Sequence, residues 1–132
     1  MQTTQSLMIL VAGPYRSGTN DDPDLIAVNV KQMTDTALRI YNIGHLPVLG
    51  EWFALPLIEA AGSQQMGDAV FNKLFHPVAI QLISHCDAVL RIGGPSSGAD
   101  EMVAVGISGG KIIFRDFEEI PEVKNQTPDD FV

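Results

Sequence analysis

Cysteine is nearly absent. Cys86 stands alone in 132 residues, which excludes a disulfide framework and a cysteine-built metal centre. Basic residues are also scarce: eight Lys and Arg face sixteen Asp and Glu, for a formal net charge of −8. That sign argues against a nucleic-acid polymer or an anionic membrane as partner, since both attract a basic face. A small anion is not excluded, because a helix N-terminus binds one locally. Residues 7–12 form an apolar run too short for a membrane span or a secretion signal, and the residues before it are polar. His45, His76 and His85 show no ligand spacing with one another and read as structural. No serine–histidine–acid or cysteine–histidine arrangement is defensible. The expectation is a cytoplasmic enzyme or binding protein that needs no metal or organic cofactor.

What is present reads as one folded domain. Hydrophobic residues make up 45% of the chain and charged residues 18%, enough apolar material for a real core. No linker, repeat or low-complexity segment divides residues 1–132; the core spans 7–114, with an acidic tail over 115–132 that forms one more edge element or stays loose. The chain is organised around residues 87–114. There the run Ala88-Val89-Leu90 leads into Gly93-Gly94-Pro95-Ser96-Ser97-Gly98, then a helix over 99–108 stopped by Gly109-Gly110, then a strand over 111–114. This is a βαβ unit.

Earlier, residues 7–12 lack alternation, which suits a strand buried on both faces. A helix follows from Pro23, capped by Asp22, with Ile26, Val30, Met33, Ala37 and Ile40 on one stripe and Gly44 at its end. Residues 46–49 read as a short strand, 53–61 as a short helix bent near Pro56, 62–67 as a mobile loop, and 68–84 as a helix interrupted near Pro77. The implied fold is a three-layer α/β domain, Rossmann-like or flavodoxin-like, with a four- to five-stranded parallel sheet. Three loops (13–20, 50–53 and 93–98) converge on the carboxyl edge of that sheet, where open α/β folds bind ligands.

Each loop offers chemistry, and each has a plainer alternative. Gly94, Ser96, Ser97 and Gly98 provide close backbone approach, hydroxyls and free helix N–H groups for a phosphate or sugar; the alternative is a tight turn with Ser97 as N-cap. Glu101 and Asp100 sit in the first helical turn. Glu101 there would attack or stabilise a sugar's anomeric carbon, although acids also favour first turns for stability alone. Gly13 and Pro14 shape the first loop. Tyr15 would stack on a base or hydrogen-bond a carboxylate, and Arg16 would hold a phosphate or carboxylate; the alternatives are a tyrosine capping the core edge and a solvated arginine. Glu51 and Trp52 offer a carboxylate beside an aromatic wall; the alternative for Trp52 is core.

The strand with Gly13-Pro14-Tyr15, the Cys86-Asp87-Ala88-Val89-Leu90 strand, and the Ser97-Gly98-Ala99 turn before a helix ending in Gly110-Lys111-Ile112-Ile113 resemble the nucleoside 2-deoxyribosyltransferase-like superfamily. The likeness is to its small bacterial branch and covers most of 7–114. It implies a five-stranded parallel sheet, a homo-oligomer (dimer or tetramer) whose neighbour completes each pocket, and a small nucleoside or nucleotide as ligand. The implied chemistry is N-glycosidic bond hydrolysis or deoxyribosyl transfer on a (deoxy)nucleoside or its 5′-monophosphate, through a helix N-terminal glutamate. Glu101 is the nearest match to that nucleophile, but the family's glutamate lies four residues after the glycine, where this chain has Met102. Gly93 to Glu101 also looks somewhat like the glycine-rich signature of phosphoribohydrolases that resemble lysine decarboxylases. The alternative on the same fold is a nucleotide-binding or sensing module without turnover.

Overall fold

The computed structural model describes residues 2–124. The elements run β1 (Gln2–Thr3), β2 (Met8–Ala12), α1 (Pro23–Asn42), β3 (Leu46–Val48), α2 (Gly50–Ala60), α3 (Ala69–Ile83), β4 (Ala88–Arg91), α4 (Ser97–Ser108) and β5 (Ile112–Phe114). A short 3-10 helix (Phe117–Glu119) and β6 (Glu122–Val123) close the described chain. The main sheet is four-stranded and entirely parallel, in the order β3-β2-β4-β5. A separate parallel pair joins β1 to β6.

The alternation of side chains along each strand divides the core into two layers. Ile9 and Val11 of β2, with Ala88 and Leu90 of β4, pack with Met33, Ala37 and Ile40 of α1. Leu10, Ala12 and Val89 point the other way, onto Leu82 and Ile83 of α3 and Met102 and Val103 of α4. Both faces of the sheet are therefore apolar, which is why the strands read as continuous hydrophobic runs. α2 packs chiefly on α3, through Ala54, Ile58 and Phe71. This is the three-layer α/β arrangement, with no fifth strand in the main sheet among the described residues.

Several boundaries differ from the sequence expectation. α2 begins at Gly50, so Glu51 and Trp52 belong to a first helical turn and not to a loop; Leu49, in extended conformation, caps it without a side-chain bond. The N-cap of α4 is Ser96, whose hydroxyl accepts from Ala99 N–H, and Ser97 is already helical. α3 continues through Pro77 without interruption. The loop before α3 is pinned rather than loose. Asp68 accepts at Oδ1 from Ser63 Oγ (2.9 Å) and Phe71 N–H (2.9 Å), and at Oδ2 from Gln64 N–H (2.8 Å) and Gln65 N–H (3.2 Å). These bonds hold the Asp68 carboxyl down at about 2, with the Phe71 N–H first among them.

The start of the acidic tail is part of the core. Ile120 is buried, and Phe117 packs beneath Arg39, whose guanidinium lies 3.9 Å from the ring centroid. His45 ties the tail to the residue ahead of β2: Leu7 N–H donates to Nδ1 (2.9 Å), and Nε2 lies 2.6 Å from the Pro121 carbonyl. This pattern requires the neutral ring with its proton on Nε2. Residues 125–132, the rest of the tail, lie outside the described residues. Among the described residues no helix is long and apolar enough to cross a membrane.

Candidate functional site

A cavity of about 350 Å³ opens at the carboxyl end of β2 and β4, within the size range of small-molecule sites. With the strand order β3-β2-β4-β5, the chain leaves β2 toward one edge and β4 toward the other. The crevice between the loops that leave these two paired strands is the topological switch point at which doubly wound sheets bind ligands. The loops beyond the two strands are joined at one point, Ser17 Oγ lying 3.0 Å from Ser96 Oγ.

Seven of the anticipated residues line the cavity: Gly13, Tyr15, Arg16, Glu51, Ser96, Ser97 and Gly98. Ser97 and Gly98 open α4, so their N–H groups have no acceptor within the helix. Four do not line it. Pro14 is buried and lies beside Gly93. Gly94 is turned to Arg91, whose Nη2 donates to its carbonyl at 2.9 Å. Trp52 is 46% exposed on the outer side of α2. Glu101 is exposed, while Met102 is buried and lines the cavity. The reason is helical phase. α4 buries Ala99, Met102, Val103 and Gly106, and one residue turns a helix by about 100°, which carries Glu101 off that stripe. Asp100 is also turned away, pairing with Arg91 at 3.0 Å.

The aromatic wall comes from α3, not from Trp52. Phe71 and Phe75 stack with centroids 4.8 Å apart, and Tyr15 lies 5.2 Å from Phe75. Arg16 sits over Phe71 at 5.3 Å and is gripped by both oxygens of Asp21, at 2.8 and 2.9 Å. Asn20 and Asp21 both adopt left-handed backbone (φ 50° and 59°), a conformation costly for non-glycine residues and held here by the loop's own bonds. Arg16 is therefore partly committed to positioning this loop.

Glu51 is the carboxylate of the cavity. It is 8% exposed, and among the described residues its Oε2 is the buried side-chain polar atom without a hydrogen-bond partner. α2 buries Glu51, Ala54 and Ile58, a helical stripe whose first member is an acid. Its first turn is pressed against α3, where a Cβ on Gly50 would stand 2.8 Å from Ala79 Cβ. Burial pushes the Glu51 carboxyl up from near 4.5 to about 7. The Tyr15 phenol is raised first by burial and then by the charge of Glu51, with Arg16 opposing.

The residues sequence reasoning missed are those of α3: Phe71, Asn72, Phe75, His76 and Ala79 all line the cavity. Their spacing is visible in the sequence but looks like an ordinary core stripe. His76, expected to be structural, lies on the cavity wall against Gly98, where a Cβ would meet its Cε1 at 2.6 Å. Among the described residues no group of three or more His, Cys, Asp or Glu is placed to hold a metal ion. Neither a family model nor a curated protein matches the chain.

Proposed function

We propose that this chain cleaves the N-glycosidic bond of a (deoxy)nucleoside or its 5′-monophosphate, with Glu51 as the acid that protonates the departing base. The observation that carries the reading is the buried, unpartnered Oε2 of Glu51 in a cavity at the sheet's switch point. A buried polar atom normally has a partner, and each exception in a folded chain calls for an explanation. A ligand that accepts a proton there supplies one. A carboxyl raised to about 7 by its apolar surroundings is protonated often enough near neutrality to act as a general acid.

The rest of the cavity suits the same ligand. Tyr15, Phe71 and Phe75 offer flat apolar surface for a base. Ser97, Gly98 and the open N-terminus of α4 offer donors for sugar hydroxyls or a phosphate. The resemblance to the deoxyribosyltransferase-like superfamily points to this chemistry, with the reacting glutamate at the start of α2 instead of α4.

One observation favours a second reading. Glu101 faces solvent and Met102 fills the family's nucleophile position, as expected of a nucleotide-binding module without turnover. A panel of ribo- and deoxyribonucleosides and their 5′-monophosphates, assayed for free base by chromatography, separates the two. Base release that Glu51→Gln abolishes supports the enzyme. A rise in melting temperature with a nucleotide, and no base from any substrate, establishes the binding module.

A further inference from the structure

Four titratable side chains line the cavity: Tyr15, Arg16, Glu51 and His76. Arg16 is a permanent cation held by Asp21. Tyr15 keeps its proton, because burial and the charge of Glu51 both raise the phenol. Glu51 is the acid on the reading above. His76 is left, and a neutral imidazole carries a ring nitrogen that can accept a proton.

Its setting differs from that of His45. Both nitrogens of His45 are bound to backbone groups, whereas among the described residues no hydrogen bond engages the His76 ring. That ring stands edge-on to Phe75 and lies on the first turn of α4, in space left by the missing side chain of Gly98.

We infer that His76 is the general base that takes a proton from the attacking water, which makes the chain a hydrolase rather than a sugar transferase. The inference rests on Glu51 acting as the acid. The water oxygen forms its bond to the anomeric carbon as the carbon–nitrogen bond breaks. The electron pair of that bond leaves with the base, whose nitrogen takes the proton of the Glu51 carboxyl. The proton of the water passes to His76. Imidazolium and carboxylate then exchange with solvent, one losing and the other gaining a proton, and the net reaction is nucleoside plus water to free base plus free sugar. Direct attack by water inverts the anomeric centre. A sugar carried covalently on Glu51 would retain it and could pass to a second base.

The test takes the substrate with the fastest base release in the panel. The anomeric form of the freshly released sugar is read by NMR with the wild-type chain, with and without a second free base present. His76→Gln and Glu51→Gln are assayed beside it, and their thermal melts check that each is folded. The expected results are an inverted sugar, no transfer to the added base, and a His76→Gln variant whose kcat falls roughly 10²- to 10⁴-fold with little change in KM. Retained configuration, transfer to the added base, or wild-type kcat in His76→Gln would overturn the role of His76. If Glu51→Gln is inactive in that case, the glycosidase reading survives. Absence of base release from every substrate overturns both.

Discussion

Glu51 inverts the usual arrangement of a surface helix. Its carboxyl is inside, while Trp52, Phe53 and Leu57 on the same helix are about half exposed. The inversion has a measurable cost. A carboxyl whose pKa is raised in the folded state contributes most stability below its ordinary value near 4.5 and loses it as pH rises toward about 7. The difference is on the order of 3 kcal/mol. The wild-type chain is therefore expected to be more stable to denaturant at pH 5 than at pH 8 by up to that amount. Glu51→Gln should remove most of this dependence and be the more stable protein at pH 8. Equal pH dependence in both chains would show that Glu51 is not buried with its proton. His45 makes an opposite case, a polar group whose bonds are satisfied. His45→Ala would leave Leu7 N–H and the Pro121 carbonyl without their partner, and a loss of roughly 2–4 kcal/mol in urea denaturation is expected. Lack of ligand spacing set His45 and His76 alike as structural, and only the bonds to Leu7 and Pro121 single His45 out. The inward turn of Glu51 was not. Its stripe with Ala54 and Ile58 can be counted only once α2 is known to start at Gly50, and the absence of a side-chain cap hid that start.

The seam between α2 and α3 fixes where Glu51 lies. Gly50→Ala puts a methyl group 2.8 Å from Ala79 Cβ, so α2 must shift. The overpacking costs roughly 1–3 kcal/mol, partly offset by the better helix propensity of alanine. Base release should fall with it, while a Gly109→Ala control, far from the cavity at the end of α4, should leave activity unchanged. The loop ahead of α3 depends on a single carboxylate. Asp68→Ala removes four hydrogen bonds, and hydrogen exchange should speed up at the amides of Gln64, Gln65 and Phe71 while the sheet stays protected. Unchanged exchange at those three amides would show that the loop is held by other means. Elements with punctuation were readable. Asp22 and Pro23 announced α1, and Gly44, with φ 101°, ended it. The wall formed by α3 was not readable, because Phe71, Phe75 and Ala79 repeat at the spacing of a core helix. Periodicity shows which face is buried but not whether it is buried against protein or against a cavity.

At the scale of the molecule, the order β3-β2-β4-β5 reverses direction at the hydrogen-bonded pair β2 and β4, and the loops that leave their carboxyl ends part there. The carboxyl ends of these two strands were legible as the edge where the loops gather, and the cavity opens there. Which glutamate lines the cavity was not, because a one-residue phase in α4 and an uncapped start in α2 decide it. The two carboxylates differ in every respect that matters for chemistry. Glu51 is buried in the cavity and Glu101 is exposed outside it. The most direct measurement is base release at pH 6 by Glu51→Gln and Glu101→Gln side by side with the wild-type chain. Release that persists in Glu101→Gln and disappears in Glu51→Gln is the expected result. Loss of release in Glu101→Gln with full activity in Glu51→Gln would contradict it, and would return the chemistry to the start of α4.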